Sequence, residues 1–261
     1  MAQEKPSCGP RLDAGAHVAQ IRKRPIGLFR AIMARVRRTP TKVSKGDETR
    51  RRVLAEAASL FNTVGYQAGS MQDLMAATGL QKGGIYRHFR DKETLSLEAY
   101  QYAVELMAAR FAEALAGRTG AIERLLAIVS VFERLPVDPP VPGGCPTLNA
   151  AVEADDGNPR LRDAARRTMH SLKRAIVKIL DEGAQRGELR TGLDHKAIAD
   201  VLVVQMEGAV MLSKLEGSQA PMRHVIEHIG AWLHALRRPA PLAPPRRPRR
   251  GGAPPFPRRR A

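Results

Sequence analysis

The chain has 261 residues and a formal net charge of +17, long enough for one or two domains with a real core. Its two cysteines, Cys8 and Cys145, cannot build a disulfide framework, and no apolar run nears the ~20 residues of a membrane span. The N-terminus lacks the apolar core of a secretory signal, so the expectation is a cytoplasmic protein with no membrane partner.

The charge is not spread evenly. Residues 1–46 carry 11 Lys/Arg against 2 Asp/Glu, and residues 237–261 carry 9 Arg and no acid. Residues 47–236 hold 23 basic and 24 acidic residues, so the body of the chain is balanced and the basicity belongs to its ends. A basic RNA-binding or membrane-surface protein acting through those ends is therefore one alternative reading.

Residues 1–46 show no sustained helical period and read as a basic, disordered extension. A second reading starts the protein at Met33, leaving MARVRRTPTKVSKG as a short basic arm suited to phosphates or a minor groove. From Asp47 the pattern turns helical, with Val53/Leu54, Ala57/Ala58, Leu60/Phe61 and Val64 every three to four residues and Gly65 as the stop. Arg50, Arg51 and Arg52 lie in its first turns, either as phosphate contacts or as a solvated helix start.

Next, Ser70 precedes Met71, Leu74 and Met75 at helical spacing, and Asp73 stands three residues after the serine, close to a capping box. Gly79 offers the left-handed stop, and a second short apolar pair, Ile85 and Phe89, follows at once. Two short helices joined by a glycine-containing turn outline a helix-turn-helix, whose second helix enters the DNA major groove. Lys82 and Tyr86 are four apart and point away from Ile85 and Phe89, where they suit phosphate oxygens or base edges. Gly83-Gly84 costs about 1 kcal/mol per glycine in a helix, which makes sense where backbone must approach a duplex.

The segment GLQKGGIYRHFRDKETL closely resembles the end of the DNA-binding domain in TetR/AcrR-type transcriptional regulators, and the resemblance extends upstream through TRRRVLAEAASLFNTVGYQAGSMQDLMAATG. The resemblance places Lys82, Gly83, Tyr86, Phe89 and Lys92 at matching positions, and Gln81 departs from the Ser or Thr usual there. The candidate DNA-binding residues are Ser70, Gln81, Lys82, Gly83, Gly84, Tyr86, Arg87, His88 and Lys92; Phe89 reads as core, and Asp91 as the cap of the next helix.

Beyond Lys92 a long helix runs to Ala116, then Gly117 to Gly120 break it. Ala121 to Leu135 forms another helix, followed by a proline–glycine loop over 136–144. The stretch GGCPTLNAAVEADDGNPRLR resembles a TetR subgroup with Gly-Cys-Pro at the start of a pocket-lining helix. Cys145 there has two open readings: a thiol of lowered pKa that senses oxidants or electrophiles, or a small buried hydrophobe.

Asn158-Pro159 caps a helix reaching Gln185, Asp194 opens one that is apolar around much of its circumference, and Met222 to Leu236 is the last. Met107, Phe111, Met206 and Met211, with Cys145, are ligand-cavity candidates. The tail 237–261 is a Pro/Arg-rich, disordered segment.

One stretch points to a different class. His224, Glu227 and His228 match H-x-x-E-H, an inverted zinc-peptidase signature, without an evident third ligand.

The sequence thus predicts an all-α protein in which a three-helix DNA-binding unit, 47–92, joins a helical effector-binding and dimerisation unit, 93–236. The resemblance implies a ligand-responsive, non-enzymatic repressor that binds a palindromic double-stranded DNA operator as a homodimer. In the family the final two helices form the dimer interface, and a small molecule or reactive electrophile releases the operator. No cofactor and no metal are expected.

Overall fold

The computed structural model describes residues 44–154 and 157–239. What is expected of 1–43 and 240–261, including the start at Met33, lies outside these residues. Among the described residues there are nine helices and no strand beyond one isolated bridge.

The first helix, α1, spans Lys45–Val64. It begins two residues before the expected Asp47, because Asp47 is not the start but the third helical position of a capping box. Ser44 Oγ accepts from the Asp47 amide at 3.1 Å, and the Asp47 carboxylate accepts from the Ser44 hydroxyl at 2.8 Å. Lys45 and Gly46 therefore belong to the folded unit rather than to the extension. Helix α2, Met71–Thr78, starts on the Ser70–Asp73 box and stops at Gly79, whose φ of 69° is the left-handed turn that glycine adopts without strain. A single helical turn, α3, covers Lys82–Tyr86. Val53, Phe61, Leu74, Ile85 and Phe89 are buried together and fix these three helices on one another. Each fully buried Leu or Ile contributes about 1.5–3 kcal/mol relative to exposure.

Helix α4, Lys92–Leu115, is capped by Asp91, which accepts from the Thr94 amide at 2.7 Å. It runs through both cores of the molecule. Leu95, Ala99, Tyr100 and Ala103 are buried with α1–α3, whereas Met107 and Phe111 are buried with later helices. Those are α5 (Ala121–Arg134), the later part of α7 (Pro159–Gln185), α8 (His195–Glu216) and α9 (Ala220–Ala235), while α6 (Pro146–Ala154) and the start of α7 bury Ala150, Ala154 and Leu161 in the first core. Asn158 and Asp194 cap α7 and α8 as the sequence predicts.

The end of the fold corrects one expectation. Arg237 and Arg238 are not loose: the Arg190 amide bonds to the Leu236 carbonyl at 2.9 Å and the Arg238 amide to the Glu188 carbonyl at 2.8 Å. The chain leaving α9 passes antiparallel to the turn after α7, where backbone pairing satisfies groups that would otherwise be left open.

Short α6 joins the two halves. Before it, the buried Asn62 amide at the end of α1 donates to the Pro142 carbonyl at 2.7 Å and the Gly144 carbonyl at 3.3 Å. Asn149 returns bonds of 3.0 Å to the Asn62 side-chain oxygen and to its carbonyl. At the far end of α6 the Glu153 carboxylate accepts from the Tyr66 amide at 2.5 Å and the Gln67 amide at 3.2 Å. One nine-residue helix is thereby tied at both ends to α1 and to the turn leading into α2.

Candidate functional site

Two regions bring together the residues singled out by the sequence. The first is the outer surface of α2 and α3. Gln81, Lys82, Gly83 and Arg87 are exposed, Gly84, Tyr86 and His88 are half-buried, and Ile85 and Phe89 are sealed beneath them. Lys82 Nζ stands 5.9 Å from the centre of the Tyr86 ring, so both side chains share a face as their spacing predicts. Gln81 is the N-cap of α3 but its side chain makes no capping bond, which leaves the amide free for an outside partner. The two glycines are not demanded by packing. A Cβ at Gly83 would meet nothing within 4 Å, and one at Gly84 would make only an ordinary 3.7 Å contact with Leu80 Cβ.

Two members of the predicted set, and Arg50 of α1, also have work inside the fold. The Ser70 hydroxyl donates to Asp73 Oδ2 at 2.6 Å, so it is engaged in capping α2. Lys92 Nζ donates to the Gln67 carbonyl at 2.9 Å and ties the turn before α2 to the start of α4. An ammonium has three donors, so this bond leaves others for a phosphate. Arg50 is neither a solvated start nor a free cation: it pairs with Glu98, and its guanidinium lies 4.9 Å from the centre of the Phe89 ring. Arg51 and Arg52 are exposed.

The second region is a cavity of about 60 Å³ among α4, α5, α7 and α8, with α6 beginning at its wall. That is several times the ~10–15 Å³ one water needs. Met107, Phe111, Phe132, Met169 and Leu172 supply apolar wall, and Cys145, Thr147 and Glu207 supply polar groups. The Cys145 thiol donates to Glu207 Oε1 at 3.1 Å. Burial pushes the Glu207 carboxyl up to about 7, and burial, then the Glu207 charge, push the Cys145 thiol well above its ordinary value.

The sequence-predicted cavity residues divide accordingly. Cys145, Met107 and Phe111 line the cavity. Met206 is fully buried but takes no part in the wall, and Met211 is 51% exposed on the outer face of α8. Of its two open readings, burial and the upward push on the Cys145 thiol favour the small buried group, since a protonated thiol is a poor nucleophile. Glu207 was missed. Its signal was available: a carboxylate among Val203, Met206 and Val210, at the spacing of the buried stripe of α8.

His224, Glu227 and His228 are exposed on α9. Among the described residues no group of three His, Cys, Asp or Glu side chains is placed to hold a metal ion, so nothing supports the hydrolase reading. No described helix is long and apolar enough to cross a membrane.

Comparison with known proteins is consistent with both regions. The family model described as "Bacterial regulatory proteins, tetR family" matches residues 53–99, and that described as "Tetracyclin repressor-like, C-terminal domain" matches residues 121–229. A crystal structure of a TetR transcriptional regulator from Chloroflexus aurantiacus is 43% identical, with a TM-score of 0.73, over 75% of this chain and 99% of that one. A TetR-family regulator from Cytophaga hutchinsonii is 29% identical, with a TM-score of 0.70, over 77% and 100%. The HTH-type transcriptional repressor DhaR of Mycobacterium sp. is 24% identical over 66% of this chain and 86% of its own length.

Proposed function

The chain belongs to the TetR family of transcriptional regulators, and on that premise we propose that it is a homodimeric, ligand-released repressor of a palindromic operator. In this reading α1–α3 are the DNA-binding unit and α4–α9 the effector-binding and dimerisation unit. The repressor name of the Mycobacterium relative supports the negative sign of control.

The observation that carries the reading is the unexplained cost of Gly83. It sits in a helix at ordinary backbone angles with open space around it, so its missing side chain serves no packing need inside the chain. A duplex pressed against α3 supplies the need. Gln81, Lys82, Tyr86, Arg87 and His88 then face base edges and phosphates, while Lys92 and Ser70 flank them at the two helix starts.

A second copy is supported by α8. Val201, Val204, Met211, Leu212 and Leu215 stay exposed at helical spacing, with Gly208 between them. Such a stripe on a folded subunit suits a protein interface, and a two-fold pair of subunits joined there would present two α3 helices, one to each half-site.

Control follows from α6. Cys145 and Thr147 reach the cavity at one end, and Glu153 holds the turn between α1 and α2 at the other. A ligand that fits the cavity better in one position of α6 shifts the spacing of the two DNA-binding units. Burial of Cys145 favours a reversibly bound small molecule over a reactive electrophile. The RNA- and membrane-surface reading rests on the basic ends of the chain, most of which lie outside the described residues.

The test is fluorescence anisotropy with the DNA upstream of the protein's own gene. Lys82→Ala and Tyr86→Ala should each weaken binding by about tenfold or more while light scattering reports an unchanged dimer. Unchanged affinity in both variants would remove α3 from the interface.

A further inference from the structure

Taking the cavity as the effector site, we infer that the effector is a protonated organic amine with a compact apolar body, its ammonium paired with Glu207.

Three observations converge on that chemistry. First, Glu207 lines the cavity at 7% exposure, and its Oε2 is buried without a hydrogen-bond partner among the described residues. Buried polar atoms in folded proteins are nearly always bonded, so an open carboxylate oxygen asks for a donor. Its other oxygen has only a thiol, a weak donor. Second, the wall offers no answering charge: no Lys, Arg or His lines the cavity. An anionic ligand would face a lone carboxylate; a cation would neutralise it.

Third, the remaining wall suits the rest of such a molecule. Phe111 and Phe132 stand 5.7 Å apart at the ring centres, and Met107 and Met169 adapt to varied shapes. Each hydroxyl in the wall already has a neighbour: Thr168 donates to the Ala164 carbonyl at 3.1 Å, Ser171 accepts from Arg174 at 2.9 Å, and Thr147 Oγ1 stands 3.4 Å from the Tyr100 hydroxyl. Glu207 is therefore the polar group that fixes ligand orientation. The upward push on its carboxyl fits the same picture, since a site short of cations holds the proton until an ammonium replaces it.

The experiment is calorimetric titration of the full chain with phenethylammonium and n-butylammonium, set against 2-phenylethanol, 1-butanol and 3-phenylpropanoate. At least one amine should bind about tenfold or more tightly than the alcohol of the same shape, as expected for a charged hydrogen bond, and the acid should not bind. Glu207→Gln should erase the preference while keeping the alcohol affinity, which also reports that the variant is folded. Equal affinity for amine and alcohol, preference for the acid, no binding by either amine, or a preference that survives Glu207→Gln would each overturn the inference. Failure of the wild-type chain to bind its upstream DNA would instead sink the repressor reading and leave Glu207-dependent amine binding standing.

Discussion

Two buried polar groups hold the segment that leads into α6, Asn62 at Pro142 and Gly144 and Glu207 at Cys145, and they differ in completeness. Asn62 is 4% exposed, and its amide is saturated: the nitrogen donates to two carbonyls and the oxygen accepts from Asn149. Glu207 is 7% exposed, with one oxygen on a thiol and the other on nothing. A saturated buried group costs little and fastens the structure, while an unsaturated one is a standing cost that stability alone does not explain. The first is a device for holding the two halves together. The second belongs to function.

Breaking the saturated site should give the largest effect. Asn62→Ala would leave the Pro142 and Gly144 carbonyls short of a donor in a buried corner, while Asn149 keeps the Asn62 and Gly143 carbonyls as acceptors. The expected loss is about 3 kcal/mol in urea unfolding, because each stranded group costs about 1–3 kcal/mol. A loss under about 1 kcal/mol would mean that the clasp is ornamental and the contrast with Glu207 false.

The unsaturated site should show itself in pH. Burial raises the Glu207 carboxyl from 4.5 to about 7 in the folded chain, so the folded state binds the proton more tightly than the unfolded one. Its contribution is fully present below about 4.5 and is lost as pH climbs toward 7, a change of about 3 kcal/mol at most. Thermal unfolding of Glu207→Gln should therefore hold steady across that window, and the difference in Tm between the variant and the wild type should move in the variant's favour from pH 5 to pH 8. A difference independent of pH would mean that the carboxylate is solvated after all.

The same contrast explains what could be read from the sequence. Elements closed by local chemistry were legible: the Ser70–Asp73 box, the Gly79 stop and the Asn158 and Asp194 caps each announce themselves within four residues. The inward set of the first three helices was legible too, because Ile85 and Phe89 follow the helical period. The start of α1 was missed only where Ser44 and Asp47 form a box that basic surroundings obscure. What stayed hidden depends on residues far apart in the chain. Asn62 meets a loop 80 residues on, and Glu207 meets Cys145 across 62 residues. Methionine at a helical spacing says nothing about which side faces a cavity, and so Met107 and Met211 looked alike in sequence while one lines the cavity and the other faces outward.

Two glycines carry the contrast down to its smallest energy. Gly143 is fixed by the fold: its φ is 106°, and a Cβ there would lie 2.2 Å from the Asn62 carbonyl oxygen. Gly83 has neither constraint, so Gly83→Ala should stabilise the isolated protein by up to about 1 kcal/mol through the gain in helix propensity. If α3 is pressed against a duplex, the same methyl must stand between backbone and phosphate or base edge, and operator affinity should fall as stability rises. Urea unfolding and anisotropy on one preparation decide it. A variant more stable and equally tight on DNA would show that the glycine answers to no partner, and one less stable would show a packing role inside the chain that open space around the Cα does not suggest.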